Sequence, residues 1–241
     1  MMKLKSKTWD AAARFDSLYQ YFSRKYKLNK VMFTFDDLEI SLIHISDVDQ
    51  LLDELIAQGP EAEAVKDEQL PYWADIWPSS IALSNFINDN PHFIHGKQIL
   101  DLGCGVGLSG ILATYLGGMV TINDYQKDAL RLSEMNWLLN LKKNPETLLM
   151  DWRQPETGNK YDLILASDVV YEKRFFQALI QVFDQSLNDN GKIILSEPNR
   201  TIAKEFFSLL KKHKFIFEKF DSQFNFRDKN QNISVYLISR V

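Results

Sequence analysis

Cysteine is almost missing from this 241-residue chain, Cys104 being the only one. An intrachain disulfide and a cysteine-based zinc site are thereby excluded, and a reducing compartment is implied. Histidine is nearly as scarce: His44, His92, His95 and His213 are scattered, and the close pair His92 and His95 has no further ligand, so no metal is expected. No long basic tract exists, and 28 Lys and Arg against 32 Asp and Glu give a net charge of −4, which disfavours a dedicated nucleic-acid binder. No apolar run approaches the ~20 residues that span a bilayer. The basic start, Met1 to Thr8, leads into Trp9-Asp10 rather than a signal-peptide core. Internal repeats and low-complexity segments are absent. What remains is 45% hydrophobic, enough for one substantial core, and the expectation is a soluble, cytoplasmic chain.

Helical spacing of Phe15, Leu18, Tyr19, Phe22 and Tyr26 predicts an amphipathic helix over 9–26. Apolar runs at 31–35 and 38–43 predict a hairpin turning at Asp36-Asp37. Asp47 then caps a predicted helix carrying Val48, Leu51, Leu52 and Leu55 up to Gly59-Pro60, and an acidic linker, Glu61 to Glu68, closes this N-terminal module. From Gln98 onward strands alternate with helices: strands at 98–102, 119–123, 146–150, 161–166 and 191–196, and helices at 107–117, 126–140, 172–187 and 201–212. This order predicts an α/β fold with a doubly wound, mostly parallel sheet. Two final strands, 215–220 and 233–239, lack a helix between them and are expected to pair antiparallel. The division expected is residues 1–70 as an α+β extension and 71–241 as the main domain.

Three of the ten glycines fall at every second position, Gly103, Gly105 and Gly107, where the first strand runs into a helix. Glycine there permits positive φ and a close backbone approach to a ligand. Gly105, Gly107 and Gly110 also spell Gly-x-Gly-x-x-Gly with Asp124 following, as in dinucleotide sites. Register argues otherwise, because the strand Gln98-Ile99-Leu100 leads into Gly103, leaving Gly105 inside the turn. Asp101, two residues before Gly103, would oppose a pyrophosphate at this helix start and welcome a cation. S-adenosylmethionine, with a sulfonium and an ammonium but no phosphate, suits the pattern.

Each predicted parallel strand ends in an acid: Asp101, Asp124, Asp151, Asp168 and Glu197. Ligands of open α/β sheets bind outside these carboxyl ends, so the five are expected around one cleft, with something positive or hydrogen-donating among them. Asp124 suits two ribose hydroxyls. Asp151 with Trp152 suits the edge and face of adenine.

These residues resemble the class I, seven-strand, S-adenosylmethionine-dependent methyltransferases from about residue 71 to the C-terminus. The first motif of that class corresponds to Asp101 through Gly107, its ribose acid to Asp124, with Tyr125 beside it, its adenine acid to Asp151, and its fourth-strand motif to Ser167-Asp168. The resemblance implies a seven-stranded sheet with a reversed last strand. Asp168-Val-Val-Tyr171 looks like the Asp-x-x-Tyr signature of methyltransferase family sixteen, and Pro71 to Pro78 looks like its tryptophan-containing pre-motif. That family implies protein lysine methylation, with Trp77 at the methionine end of the cofactor and Trp73 a second candidate. The Asn-Pro-Pro-Tyr type of motif, used on amides and adenine, is absent.

An amine nucleophile needs in-line placement and a lost proton, so Asp168 and Tyr171 are the residues expected to orient it, on one face of a helix that starts there. Arg200, after Glu197, is placed to balance the acidic rim or to sit in a plain loop. The expected partner is a lysine-bearing protein or a small molecule, with nucleic acid disfavoured but not excluded and no membrane, and a monomer is favoured. A small-molecule N- or O-methyltransferase, an inactive cofactor-binding interaction module and, more distantly, an NAD-dependent oxidoreductase remain open alternatives.

Overall fold

The structure is a computed structural model that describes residues 10–48, 51, 53, 57, 59, 71–156 and 158–241. The helix expected around 47–59 lies largely outside these residues, and the acidic linker lies wholly outside them.

The apolar alternation of the strand at Gln98–Leu102 dictates a sheet covered on both faces. Ile99 packs with one buried cluster, and Leu100 and Leu102 with another. Strands β3 (Gln98–Leu102), β4 (Met119–Asp124), β5 (Glu146–Leu149), β6 (Tyr161–Ser167), β7 (Leu187–Glu197), β8 (Phe215–Phe226) and β9 (Lys229–Arg240) form one seven-stranded sheet. Its order is β5-β4-β3-β6-β7-β9-β8, parallel except for β9, which runs antiparallel to both neighbours. The last strand is thus the reversed one, as expected, and it inserts between β7 and β8.

Helices α3 (Leu108–Tyr115) and α4 (Lys127–Leu141) cover one face, and α5 (Phe176–Ser186) and α6 (Ala203–Lys212) the other. A helix absent from the sequence expectation, α2 (Pro78–Asp89), joins the first face. Pro78 opens it, where a missing N–H leaves nothing unsatisfied. Ser79 through Ser84 are all buried, so the first turns of α2 lack an exposed polar stripe, and no clear 3.6-residue alternation marks the helix. Helix α5 begins at Phe176, after a 3₁₀ turn at Lys173–Phe175, four residues later than expected.

The terminal hairpin outruns its expected strands. Residues 221–232 lie outside the two expected strands, yet β8 and β9 pair along their full lengths across Arg227 and Asp228, with φ of 51° and 58°. Two successive left-handed residues make the type I′ turn that suits strand twist.

At the N-terminus, α1 (Ala11–Lys25), β1 (Leu28–Phe35) and β2 (Leu38–Ile45) pack on α4 and share its core. The free edge of β2 is closed by two side-chain amides one helical turn apart. Asn140 bonds Ser41 N–H at 2.9 Å and its carbonyl at 2.8 Å, and Asn136 bonds Ile43 N–H at 2.7 Å and its carbonyl at 2.9 Å. Asn136 also donates to the Val106 carbonyl at 2.9 Å, so one side chain ties the hairpin to the glycine loop. Among the described residues no helix is long and apolar enough to cross a membrane.

Candidate active site

The loop after β3 turns through three left-handed glycines, Gly103, Gly105 and Gly107, at φ of 67°, 51° and 88°. A Cβ on Gly103 would lie 2.8 Å from the Trp152 ring, and one on Gly107 would lie 2.4 Å from Ser133 Oγ. Side chains are therefore barred by contact as well as by conformation. Gly110, third in the dinucleotide-like pattern, sits inside α3, where a Cβ would meet Asp101 Oδ2 at 2.6 Å. Its role is to let the helix close over an acid.

This loop floors a cavity of about 320 Å³ at the carboxyl ends of the strands. Of the residues expected at a site, Gly103, Gly105, Asp124, Tyr125, Trp152 and Ser167 line it. So do Trp77, Asp168 and Tyr171. Gly107 caps α3 behind the wall.

The expectation of five acids around one cleft requires correction. Only Asp124 and Asp168 line the cavity. Asp101 is 1% exposed and its side chain leaves β3 toward α3, because successive strand residues alternate between faces. Glu197 is equally buried and accepts the Arg200 N–H at 2.9 Å. Asp151, beyond the end of β5, holds the Arg153 guanidinium at 2.6 Å and faces an adjoining crevice shared with Tyr125, Trp152 and Tyr171.

Electrostatics divide the acids. Burial, with Asp124 close by, pushes the Asp101 carboxyl up to about 7 against the pull of the Gly110 N–H. Asp101 Oδ2 has no hydrogen-bond partner among the described residues. Burial likewise pushes Asp124 up to about 6, although Gln126 and Gly105 donate backbone N–H groups at 3.1 and 3.4 Å. Asp124, a raised acid on the cavity wall, with the unpartnered Asp101 carboxyl adding negative field from behind the loop, fits a cationic, hydroxyl-bearing ligand and opposes a phosphate. The cradle that glycine alone permits supplies the room.

Asp168 is built differently. It follows β6 with φ of 58°, and its N–H donates to the Ser196 carbonyl at 2.9 Å. A left-handed non-glycine residue costs on the order of 1 kcal/mol, a strain that Asp tolerates better than most. One carboxylate oxygen pairs with Arg200 Nη1, and the other accepts Ser79 Oγ at 2.9 Å. Asp168 and Tyr171 meet through this loop and not on the face of a helix, since α5 starts only at Phe176. Arg200, for which two readings stood open, lines the cavity and pairs with its acidic rim.

Over the mouth, Trp77 donates its indole N–H to the Tyr72 carbonyl at 2.6 Å. The Tyr72 ring stands edge-on to both Trp77 and Tyr171, with centroids 5.8 Å apart in each pair. Trp73 lines the wall. Burial pushes Asp75 up, but the Arg227 guanidinium, bonded at 2.6 and 2.8 Å, and the Ile76 N–H outweigh this and hold it below the usual carboxylate range. Tyr72, Asp75 and Ser79 were missed as site residues. The first two lie inside the pre-motif and were findable there, whereas Ser79 needed the unrecognised helix α2.

A family model described as lysine methyltransferase matches residues 62–213. The chain is 35% identical over 133 residues to the electron transfer flavoprotein beta subunit lysine methyltransferase of Xenopus laevis, covering 54% of this chain and 53% of that protein. It is 28% identical over 171 residues to EEF1A lysine methyltransferase 3 of Xenopus tropicalis, covering 69% and 75%. The chain spans about half the length of most of the curated relatives it matches. Its fold is similar to that of magnesium protoporphyrin IX methyltransferase from Synechocystis PCC 6803, solved with bound S-adenosylmethionine, at a TM-score of 0.51, 15% identity, and coverage of 80% and 97%.

Proposed function

Because this chain belongs to the lysine methyltransferase family, we propose that it transfers a methyl group from S-adenosylmethionine to the side-chain amine of a lysine in a protein. The observation that carries the reading is the pair of buried, elevated acids, Asp101 and Asp124, beneath a loop that glycine alone can form. The solved fold neighbour that holds S-adenosylmethionine agrees with it, and relatives named for lysine methylation of proteins support a protein acceptor. The single cysteine supports work in the cytoplasm.

In this reading the backbone of Gly103, Gly105 and Gly107 shapes the cofactor floor, and Asp101 offers the negative field. Asp124, with Tyr125, takes the ribose hydroxyls. Trp152 and Asp151 take the adenine, and Trp77 borders the methionine end. When bound, S-adenosylmethionine supplies an electrophilic methyl carbon whose bond to sulfur breaks as the amine bond forms, leaving a neutral thioether. The chain's own residues then have two tasks. Asp168, with Ser167 and Tyr171 beside it, orients the amine, and the aromatic mouth strips water from it, which lowers the pKa of a lysine from its usual value near ~10.4. Tyr72 and Trp77 stand 40% and 36% exposed at that mouth, open to a chain as large as a protein.

Two measurements test the reading. Calorimetry should detect uptake of S-adenosylmethionine and of its thioether product by the full chain. Labelled cofactor incubated with a cell lysate should leave label in a polypeptide band. Label confined to the small-molecule fraction would select the small-molecule alternative, and binding without transfer would select the inactive module.

A further inference from the structure

The Asp168 carboxylate carries its own counter-charge. Arg200 reaches it from the loop after β7, where the Arg200 N–H is anchored on Glu197 at 2.9 Å and the side chain is only 28% exposed. Ser79 occupies the other carboxylate oxygen as a neutral donor. Both ends of the arginine are held, and its head group lies in the cavity wall.

That arrangement matters because a lone carboxylate is a poor neighbour for a nucleophilic amine. Negative charge within ~4–6 Å favours the ammonium form, whose nitrogen has no lone pair to offer. A carboxylate already neutralised by a guanidinium still accepts a hydrogen bond but no longer holds an ammonium ion. We propose that Arg200 is a positioning residue that masks the charge of Asp168, so that Asp168 orients a neutral lysine amine instead of trapping the inert ammonium. Arginine fits the task because it stays protonated at every working pH and cannot lend a proton to the amine. The inference rests on the lysine-methylation reading.

Other groups face this pair. Glu197 at the end of β7 is raised by burial, and the hydroxyl of Tyr236 on β9, pushed up to about 12 by burial and by Glu197, lies 3.4 Å from it. Tyr171, also raised, and Glu172 follow β6, and across the cavity stand Asp124 and the Asp75–Arg227 pair. Burial lifts Asp101 and Asp124 only to about 7 and about 6 and pushes Tyr236 up to about 12. The other titratable groups on the cavity wall, Tyr72, Tyr125 and Cys104, are common to wild type and variants, so from pH 8 to 10.5 a difference in midpoint between them reports the change at Arg200.

The experiment follows transfer of tritium from S-adenosylmethionine to lysate protein by the full chain across that range. Wild type is compared with Arg200→Met and Arg200→Lys. The rate of Arg200→Met should reach its plateau about one pH unit higher, giving about a tenfold loss at pH 8 that closes toward pH 10.5. Its KM for acceptor protein should not rise, since the ammonium form is held more tightly. Arg200→Lys, whose ammonium persists until near its usual ~10.4, should bring the midpoint back toward that of wild type. The thermal shift produced by S-adenosylmethionine should be the same in all three. An equal loss at every pH, a rise in KM with no shift of midpoint, or a folded Arg200→Lys that does not bring the midpoint back toward wild type overturns the inference alone. Should Arg200→Met fail to fold, Arg200→Gln takes its place in the same comparison. Absence of label in protein with wild type at all pH values overturns the lysine reading and the inference with it.

Discussion

The two halves of the cavity handle negative charge in opposite ways. On the side of the glycine loop, Asp101 and Asp124 meet only backbone N–H groups, and burial lifts both toward neutrality. On the side of the mouth, each acid has a guanidinium: Asp168 pairs with Arg200, and Asp75 with Arg227. The first half is held in a charge state that a cationic ligand relieves. The second is electrically settled before anything binds and presents mainly aromatic surface. Under the proposed reading, a methyl donor that carries positive charge and an acceptor that must arrive without it call for these two environments.

The contrast breaks most visibly at Asp168. Asp168→Ala should lower kcat by about 100-fold through lost orientation, while the S-adenosylmethionine Kd from calorimetry moves by less than about threefold. Equal losses in both quantities would mean that the two halves are not separable.

A smaller effect of opposite sign is expected at Asp101. A carboxyl raised in the folded chain binds protons more tightly there than in the unfolded chain, so it lowers stability as pH climbs from the unfolded value near ~4 through about 7. Above that range the penalty is complete. Asp101→Asn should therefore raise the ligand-free melting transition at pH 8, by on the order of 1–2 kcal/mol, while S-adenosylmethionine affinity falls. A variant less stable at pH 8 than wild type would contradict the unpartnered state of Oδ2.

The same raised carboxyls make cofactor binding pH-dependent. Affinity should rise about tenfold between pH 5.5 and 8, with protons released on binding, as read by calorimetry in buffers of different ionisation enthalpy. A flat profile would deny Asp101 and Asp124 their role.

The smallest effect belongs to Arg227 on the turn of the terminal hairpin. Its pair with Asp75 is half exposed, so Arg227→Ala should raise the acceptor KM only about threefold, leaving cofactor affinity unchanged. A larger change in cofactor affinity would place this hairpin in the first half of the cavity.

Legibility followed the same division. Asp101 through Gln126 form one contiguous strand-turn-helix-strand unit, whose apolar alternation and glycine spacing announce its geometry, and β3 matched its predicted limits residue for residue. The mouth is assembled from residues near 72, 79, 168, 200 and 227, and nothing local at Arg200 or Arg227 reveals which acid each will meet. Helix α2 is not legible in the sequence because the burial of Ser79 through Ser84 in succession erases the periodicity that marks a surface helix. Glu197 ends β7 and Asp151 follows the end of β5 by two residues, yet neither lines the cavity, since side-chain direction depends on neighbours that strand position does not specify.

Sequence alone determined the alternation of strands and helices that makes a mostly parallel sheet, the antiparallel final pair and the glycine floor, because hydrophobic period and backbone freedom are properties of adjacent residues. The reversed last strand was implied by the family resemblance, and the order of the strands was decided by the tertiary structure. Only the tertiary structure decided which carboxylates stay unpaired and which are neutralised, because charge pairing depends on distance in space, and the partners lie 32 and 152 residues apart along the chain.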